Sequence, residues 1–107
     1  MPTYSNNGYI WEIQFVNKDN EDLGKDCDGR CIPSKLLIVI REDLCPQMLK
    51  ETLIHELVHA TLDAQGRYSQ RKFTHEELCE FVGWCGEKII NYANKVCKYR
   101  EEHPNEI

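Results

Sequence analysis

A chain of 107 residues allows one domain with a single modest core and is too short to carry a separate substrate-binding domain. Its net charge of −5, with acidic and basic residues interspersed, presents no basic face to a nucleic-acid backbone, so no nucleic-acid partner is expected. Met1–Ile10 lacks the basic start and apolar run of a secretory signal, and no apolar stretch reaches the length of a membrane span. The expectation is a cytoplasmic protein without a membrane partner, its six cysteines reduced. One domain over residues 1–107 follows, with 1–8 and 100–107 frayed.

Between Tyr9 and Val16, large apolar side chains alternate with polar ones from Trp11 to Phe15, the pattern of a half-buried strand. Asn17 to Arg30, with Gly24 and Gly29 among acids, reads as a turn or loop, and Lys35 to Arg41 as a second extended run rich in Ile, Leu and Val. Together they predict a small antiparallel sheet of two to three strands.

Pro46 suits the first turn of a helix, where its missing N–H is not needed, and Gly66 supplies a stop after about Gln65. Leu49, Leu53, Ile54, Leu57, Val58, Ala60 and Ala64 cover most of that helix, which places it in the middle of the fold. A second helix runs from near Thr74 to about Tyr99, with Leu78, Phe81, Val82, Cys85, Ile89 and Tyr92 at helical spacing. Cys79 and Cys85 fall in this pattern and read as small buried hydrophobes. The fold class is α+β: a small antiparallel sheet packed on a central helix and a second, long C-terminal helix.

The central helix carries His55-Glu56-Leu57-Val58-His59. Residues four apart share a helix face, so His55 and His59 can direct ring nitrogens at one ion. Glu56 lies beside them, placed to act on a water at the metal as general base rather than to bind the metal. A catalytic zinc site wants a third protein ligand, and the acidic cluster Glu76-Glu77-x-x-Glu80 is better placed than His75 or His103. Glu77 is the choice because it shares a helical edge with Phe81, with Glu80 and Glu76 as alternatives. Thr74-x-x-Glu77 is also a capping box, which competes for the same carboxylate. Asp63, one turn after His59, could accept a hydrogen bond from a ligand histidine and fix its tautomer, or stand solvated near the helix end. Cys27-x-x-x-Cys31 has looser spacing than a zinc knuckle and reads as a pair of structural loop cysteines. Tyr68 and His75 are candidate oxyanion donors by proximity in sequence alone.

His55-Glu56-Leu57-Val58-His59-Ala60, followed by an acidic helix start, resembles the zincin metallopeptidases. Within them it looks most like the gluzincin group and the minimal phage and bacterial domains of the ImmA/IrrE type. The resemblance covers roughly residues 9 to 90. In those domains the third ligand is a glutamate on a following helix, four residues before an aromatic, which corresponds to Glu77 and Phe81; the small residues usual after it are Leu78 and Cys79 here. Metzincins match less well, since their glycine and third histidine fall on Leu62 and Gln65. The resemblance implies one zinc per chain held by His55, His59 and Glu77, with Glu56 as base and a peptide or protein substrate. By analogy, that substrate would add to the edge of strand Leu36–Arg41. The alternative is a non-catalytic, zinc-containing regulatory or protein-interaction module of phage type; a hydrolase of other acyl substrates would use the same residues.

Overall fold

The computed structural model describes residues 2–66 and 72–104. The alternation of Trp11, Ile13 and Phe15 produces strand β2 (Tyr9–Val16), preceded by β1 (Thr3–Asn6) and followed by β3 (Gly29–Ile32) and β4 (Leu37–Arg41). Asn7 and Gly8, at φ 49° and 85°, form a two-residue turn that folds β1 antiparallel onto β2, with Tyr4 opposite Trp11. Tyr4 of β1 is 1% exposed and packs into the core.

The strand order is β1-β2-β4-β3, and β4 runs parallel to β2 while β3 runs antiparallel to β4. The sheet is therefore mixed and four-stranded, not a small antiparallel sheet of two to three strands. The reason lies in the connection. The chain leaves β2, loops through 17–28, passes outward as β3, and turns back through a short 3-10 turn at Pro33–Lys35 with Leu36 at φ 48°. β4 then inserts between β2 and β3, which fixes its direction as that of β2.

Insertion buries β4 on both faces, as its unbroken apolar run from Leu36 to Ile40 requires. Ile38 and Ile40 join Trp11, Ile13 and Phe15 on the helix side, whereas Leu37 and Val39 are sealed by Leu23, a fully buried side chain from the 17–28 loop. β4 is thus not a free edge for a substrate; β3 is.

Helix α1 (Pro46–Ala64) begins on Pro46 and ends before Gly66, which adopts φ 75° as a helix stop. Leu49, Leu53, Leu57 and Ala60 bury against the sheet and Ala64 is buried at the helix end, while Ile54 and Val58 are only partly covered. Helix α2 (His75–Phe81) continues through a π-helical turn at Val82–Gly86 into α3 (Glu87–Glu102). Phe81, Cys85, Ile89 and Ala93 recur every fourth residue on the buried side. A regular α-helix drifts away from a strict four-residue repeat, and the wider π turn takes up the drift. Cys79, Leu78 and Val82, expected in the stripe, are exposed, as they lie off this four-residue repeat. Helix α3 extends to Glu102, with Arg100 donating to the Glu42 carbonyl at 2.9 Å. No helix of the described residues is long and apolar enough to cross a membrane.

Hydrogen bonds moor the N-terminal hairpin to the helices, Lys88 Nζ donating to the Ser5 carbonyl at 2.8 Å among them. Tyr4 Oη bonds Thr61 Oγ1 at 2.7 Å, Asn7 Nδ2 donates to the Ala64 carbonyl at 2.8 Å, and Tyr92 Oη donates to the Thr3 carbonyl. Thr61 Oγ1 itself donates to the Leu57 carbonyl at 2.7 Å, so the Tyr4 hydroxyl is the donor between the two. Tyr4→Phe removes that donor while leaving Thr61 its own acceptor, and should cost about 1 kcal/mol in urea unfolding. A change below about 0.3 kcal/mol would mean the bond contributes nothing net.

Candidate metal centre

The core stripe of α1 fixes the orientation of everything else on it. With Leu49, Leu53, Leu57 and Ala60 against the sheet, His55 and His59 face outward one turn apart, and Glu56 falls at the border beneath β3. His55 is exposed, His59 half-buried and Glu56 only 6% exposed. The two ring Nε2 atoms stand 3.2 Å apart, with the rings edge to face. One ligand atom from each of His55, Glu56 and His59 lies within 4.8 Å of the others, and among the described residues this is the sole such cluster.

This geometry fits a tetrahedral metal ion. Two imidazole nitrogens at zinc-ligand distances of about 2.0–2.1 Å and a tetrahedral angle are separated by about 3.3 Å, close to the 3.2 Å observed. The electrostatics point the same way. Burial, followed by the neighbouring His55, pulls the proton affinity of His59 below the ordinary histidine value, favouring the neutral ring that a metal needs. Burial pushes the Glu56 carboxyl above the usual range, partly offset by His55, which makes it a stronger base than an exposed glutamate.

The burial of Glu56 comes from β3, and specifically from Gly29. A Cβ at that position would lie 2.6 Å from Thr52 Cγ2 and 3.3 Å from Glu56 Cγ, so only glycine lets the strand cross α1 this closely. Neither Gly29 nor Thr52 stood out in the sequence. Gly29 sits in an acidic stretch where a glycine reads as a turn residue, and nothing local marks it as a strand–helix contact.

Cys31, on the same strand, faces α1; its thiol is pushed up to about 12 by burial and by the Glu56 and Asp63 carboxylates. It is a neutral thiol at physiological pH, and a strand residue rather than a loop one. Cys27 is exposed, and all six cysteines are free. His55 and His59 hydrogen-bond one another rather than Asp63.

Glu77 is engaged elsewhere. Its backbone N–H donates to Thr74 Oγ1 at 3.1 Å, and its carboxylate accepts from the Thr74 N–H and hydroxyl at 3.3 Å, completing the capping box. It does not belong to the His55-Glu56-His59 cluster. Glu77 is half-buried whereas Glu76, Glu80 and His75 are exposed, and His103 stacks on Tyr99 at the far end of α3. Tyr68 lies outside the described residues.

Two clefts flank the cluster. One, of about 330 Å³, is lined by Asp28, Gly29, Met48 and Thr52 together with His55 and Glu56. The other, of about 190 Å³, lies between α1 and α2 and is apolar throughout. A larger groove of about 650 Å³ runs between the start of α1 and the end of α3, from Pro46 to Pro104, away from the histidines.

Comparison with protein-family models, curated proteins and solved structures finds no match for this chain. The likeness to zincins stands on the His55-Glu56-Leu57-Val58-His59 segment and its geometry.

Two outcomes test this picture. Gly29→Ala forces β3 off α1 at Thr52 and Glu56, and should destabilise by about 1–3 kcal/mol in chemical unfolding; an unchanged midpoint would show that the close approach is not required. Glu56→Gln should raise the melting temperature of metal-free protein at neutral pH. Because the folded-state pKa of Glu56 is raised, ionising it works against the fold, so wild-type stability falls as pH climbs through that pKa. The advantage of the variant should therefore grow from acid to neutral pH; an advantage that shrinks over that range would contradict the assigned burial.

Proposed function

We propose that this protein is a zinc-dependent peptidase. The observation that carries the reading is the His55–Glu56–His59 cluster on α1, with its Nε2 atoms at 3.2 Å and a buried carboxylate beside them. When bound, a zinc ion supplies Lewis acidity toward a carbonyl and acidifies a water to a pKa of about 7. His55 and His59 hold the ion. Glu56, whose burial strengthens it as a base, takes the proton from the attacking water and returns it to the leaving amine, so it begins and ends the cycle ionised.

Glu77 is the third ligand in this reading. It is the half-buried member of the acidic cluster, at the start of the helix that follows the histidines. A peptide substrate lies along the free edge of β3, whose outer backbone groups can pair with an extended chain next to Glu56. A zinc-holding interaction module would use the same histidines without turnover, and the Glu56 variant separates the two.

Metal analysis of protein purified without added zinc is the test. About one zinc per chain is expected, lost in His55→Ala and His59→Ala, weakened in Glu77→Ala but not in Glu76→Ala or Glu80→Ala, and retained in Glu56→Gln. Glu56→Gln should lower peptide cleavage by about 10²–10⁴-fold. Zinc retained with no cleavage in the wild type would favour the interaction module; a wild type that neither carries nor takes up zinc would end the proposal. Zinc affinity should fall as pH drops, because each histidine must lose its proton to bind, and the lowered proton affinity of His59 extends binding further into the acid range than an ordinary histidine would.

A further inference from the structure

The cleft of about 330 Å³ along β3 carries three carboxylates on its walls, Asp28, Glu51 and Glu56. His55 is the one basic side chain that lines it, and a ring that holds a metal is neutral. Met48, Glu51 and His55 share a face of α1 because they are spaced three and four residues apart. Asp28 and Gly29 close the cleft from the sheet side.

Little balances this negative charge. Glu56 is only 6% exposed, lines the cleft, and has no hydrogen-bond partner among the described residues, so it is a buried anion open to that space alone. Glu51 is exposed and accepts from the neutral Gln47 amide at 3.4 Å. Asp28 meets Arg41 at 3.3 Å, but the same guanidinium is held more closely by Asp43 and does not line the cleft. A cation is the occupant that such walls favour. The remaining lining suits an aliphatic stem: Met48, 42% exposed, leaves its thioether chain uncovered, and Thr52 lies beside it. A side chain of methylenes ending in a positive head matches both parts. The volume stands at the lower end of the roughly 300–1,000 Å³ of ligand pockets, enough for one long side chain.

We propose that this cleft receives a lysine or arginine side chain of the substrate, near the scissile bond, with Glu51 and Asp28 as the groups that select it. The assignment rests on the peptidase reading of the His55–Glu56–His59 cluster for what the occupant belongs to. A peptide that pairs with the free edge of β3 sets its side chains level with those of the strand, because neighbouring residues of paired strands point to the same face. Gly29 shares the α1-facing side of β3 with Cys31, two residues on. The substrate residue beside Gly29 therefore directs its side chain toward α1 and into the cleft.

Two measurements on the zinc-supplemented full chain test this. In the first, a mixture of peptides is digested and the cleaved bonds are mapped by mass spectrometry. Lysine or arginine at one fixed position near the cleaved bond should be favoured over leucine by about fivefold, the weight of one partly exposed ion pair, and added salt should weaken the preference. Glu51→Lys, at an exposed position, should turn the preference toward glutamate, and Glu51→Gln should weaken it, both with zinc content unchanged. Cleavage with no cationic preference, or a preference indifferent to both variants, overturns the cleft assignment and leaves the peptidase standing. The second does not depend on turnover: N-acetyl-lysinamide and its uncharged counterpart N-acetyl-norleucinamide are titrated while the methyl resonances of Met48 and Thr52 are followed. Shifts with the lysine amide alone, lost in Glu51→Lys, support the cleft even if no cleavage is seen, in which case the peptidase reading fails by itself. Equal or absent shifts with both amides, or shifts that persist in Glu51→Lys, overturn the cleft.

Discussion

The strand–helix crossing at Gly29 is the contact on which the candidate centre depends. α1 presents its apolar stripe to the sheet, and this alone would leave Glu56 at the edge of the stripe in water. β3, pressed against Thr52 and Glu56 because Gly29 has no side chain, removes that water. Desolvation is what turns an ordinary helix glutamate into a base with raised proton affinity. Burial and the neighbouring His55 lower the proton affinity of His59. The close approach at Gly29 therefore bears on the chemical state of Glu56, the group beside the two histidines. It also puts a free sheet edge next to the carboxylate.

The sequence was most legible where periodicity speaks directly. The alternation in β2, the start of α1 at Pro46, its stop at Gly66 and the histidine pair on one helix face all follow from local rules. The sheet was less so, for physical reasons visible in particular residues. Asn7-Gly8 is a strong hairpin signal, but only four residues of β1 precede it, too few to show an alternation. The run Leu36–Ile40 is fully apolar, the mark of a strand covered on both faces, yet its covering partners, Leu23 and the edge strand β3, lie in a stretch dominated by charge. A strand of four residues such as β3 is held by pairing with β4 and packing on α1, neither of which is local.

For the candidate site, the cluster of His55, Glu56 and His59 was readable because helix geometry alone brings them together. The neighbours that give it character were not. Gly29 and Thr52 act through a contact between elements far apart in sequence. The competition between capping and ligation at Glu77 was visible as a pattern, and the capping arm is the one formed. Both cap bonds fall on one carboxylate oxygen, Oε1, so an ion at the histidines and an intact cap at Thr74 would share one side chain.

The π turn at Val82–Gly86 separates two helices that would otherwise be one. Its extra residue acts as a phase setting: α3 packs on α1, with Ile89, Ala93 and Val96 buried in the core, so the turn decides the rotation at which α2 meets α1. Shortening it by one residue would swing α2 by about 100° about its axis. Glu77, Leu78 and Phe81 would then exchange directions as a group, and the wall opposite the histidines would change its chemistry without a single substitution. Length variation at this point is thus a coarser control over the histidine-bearing face than any side-chain replacement around it.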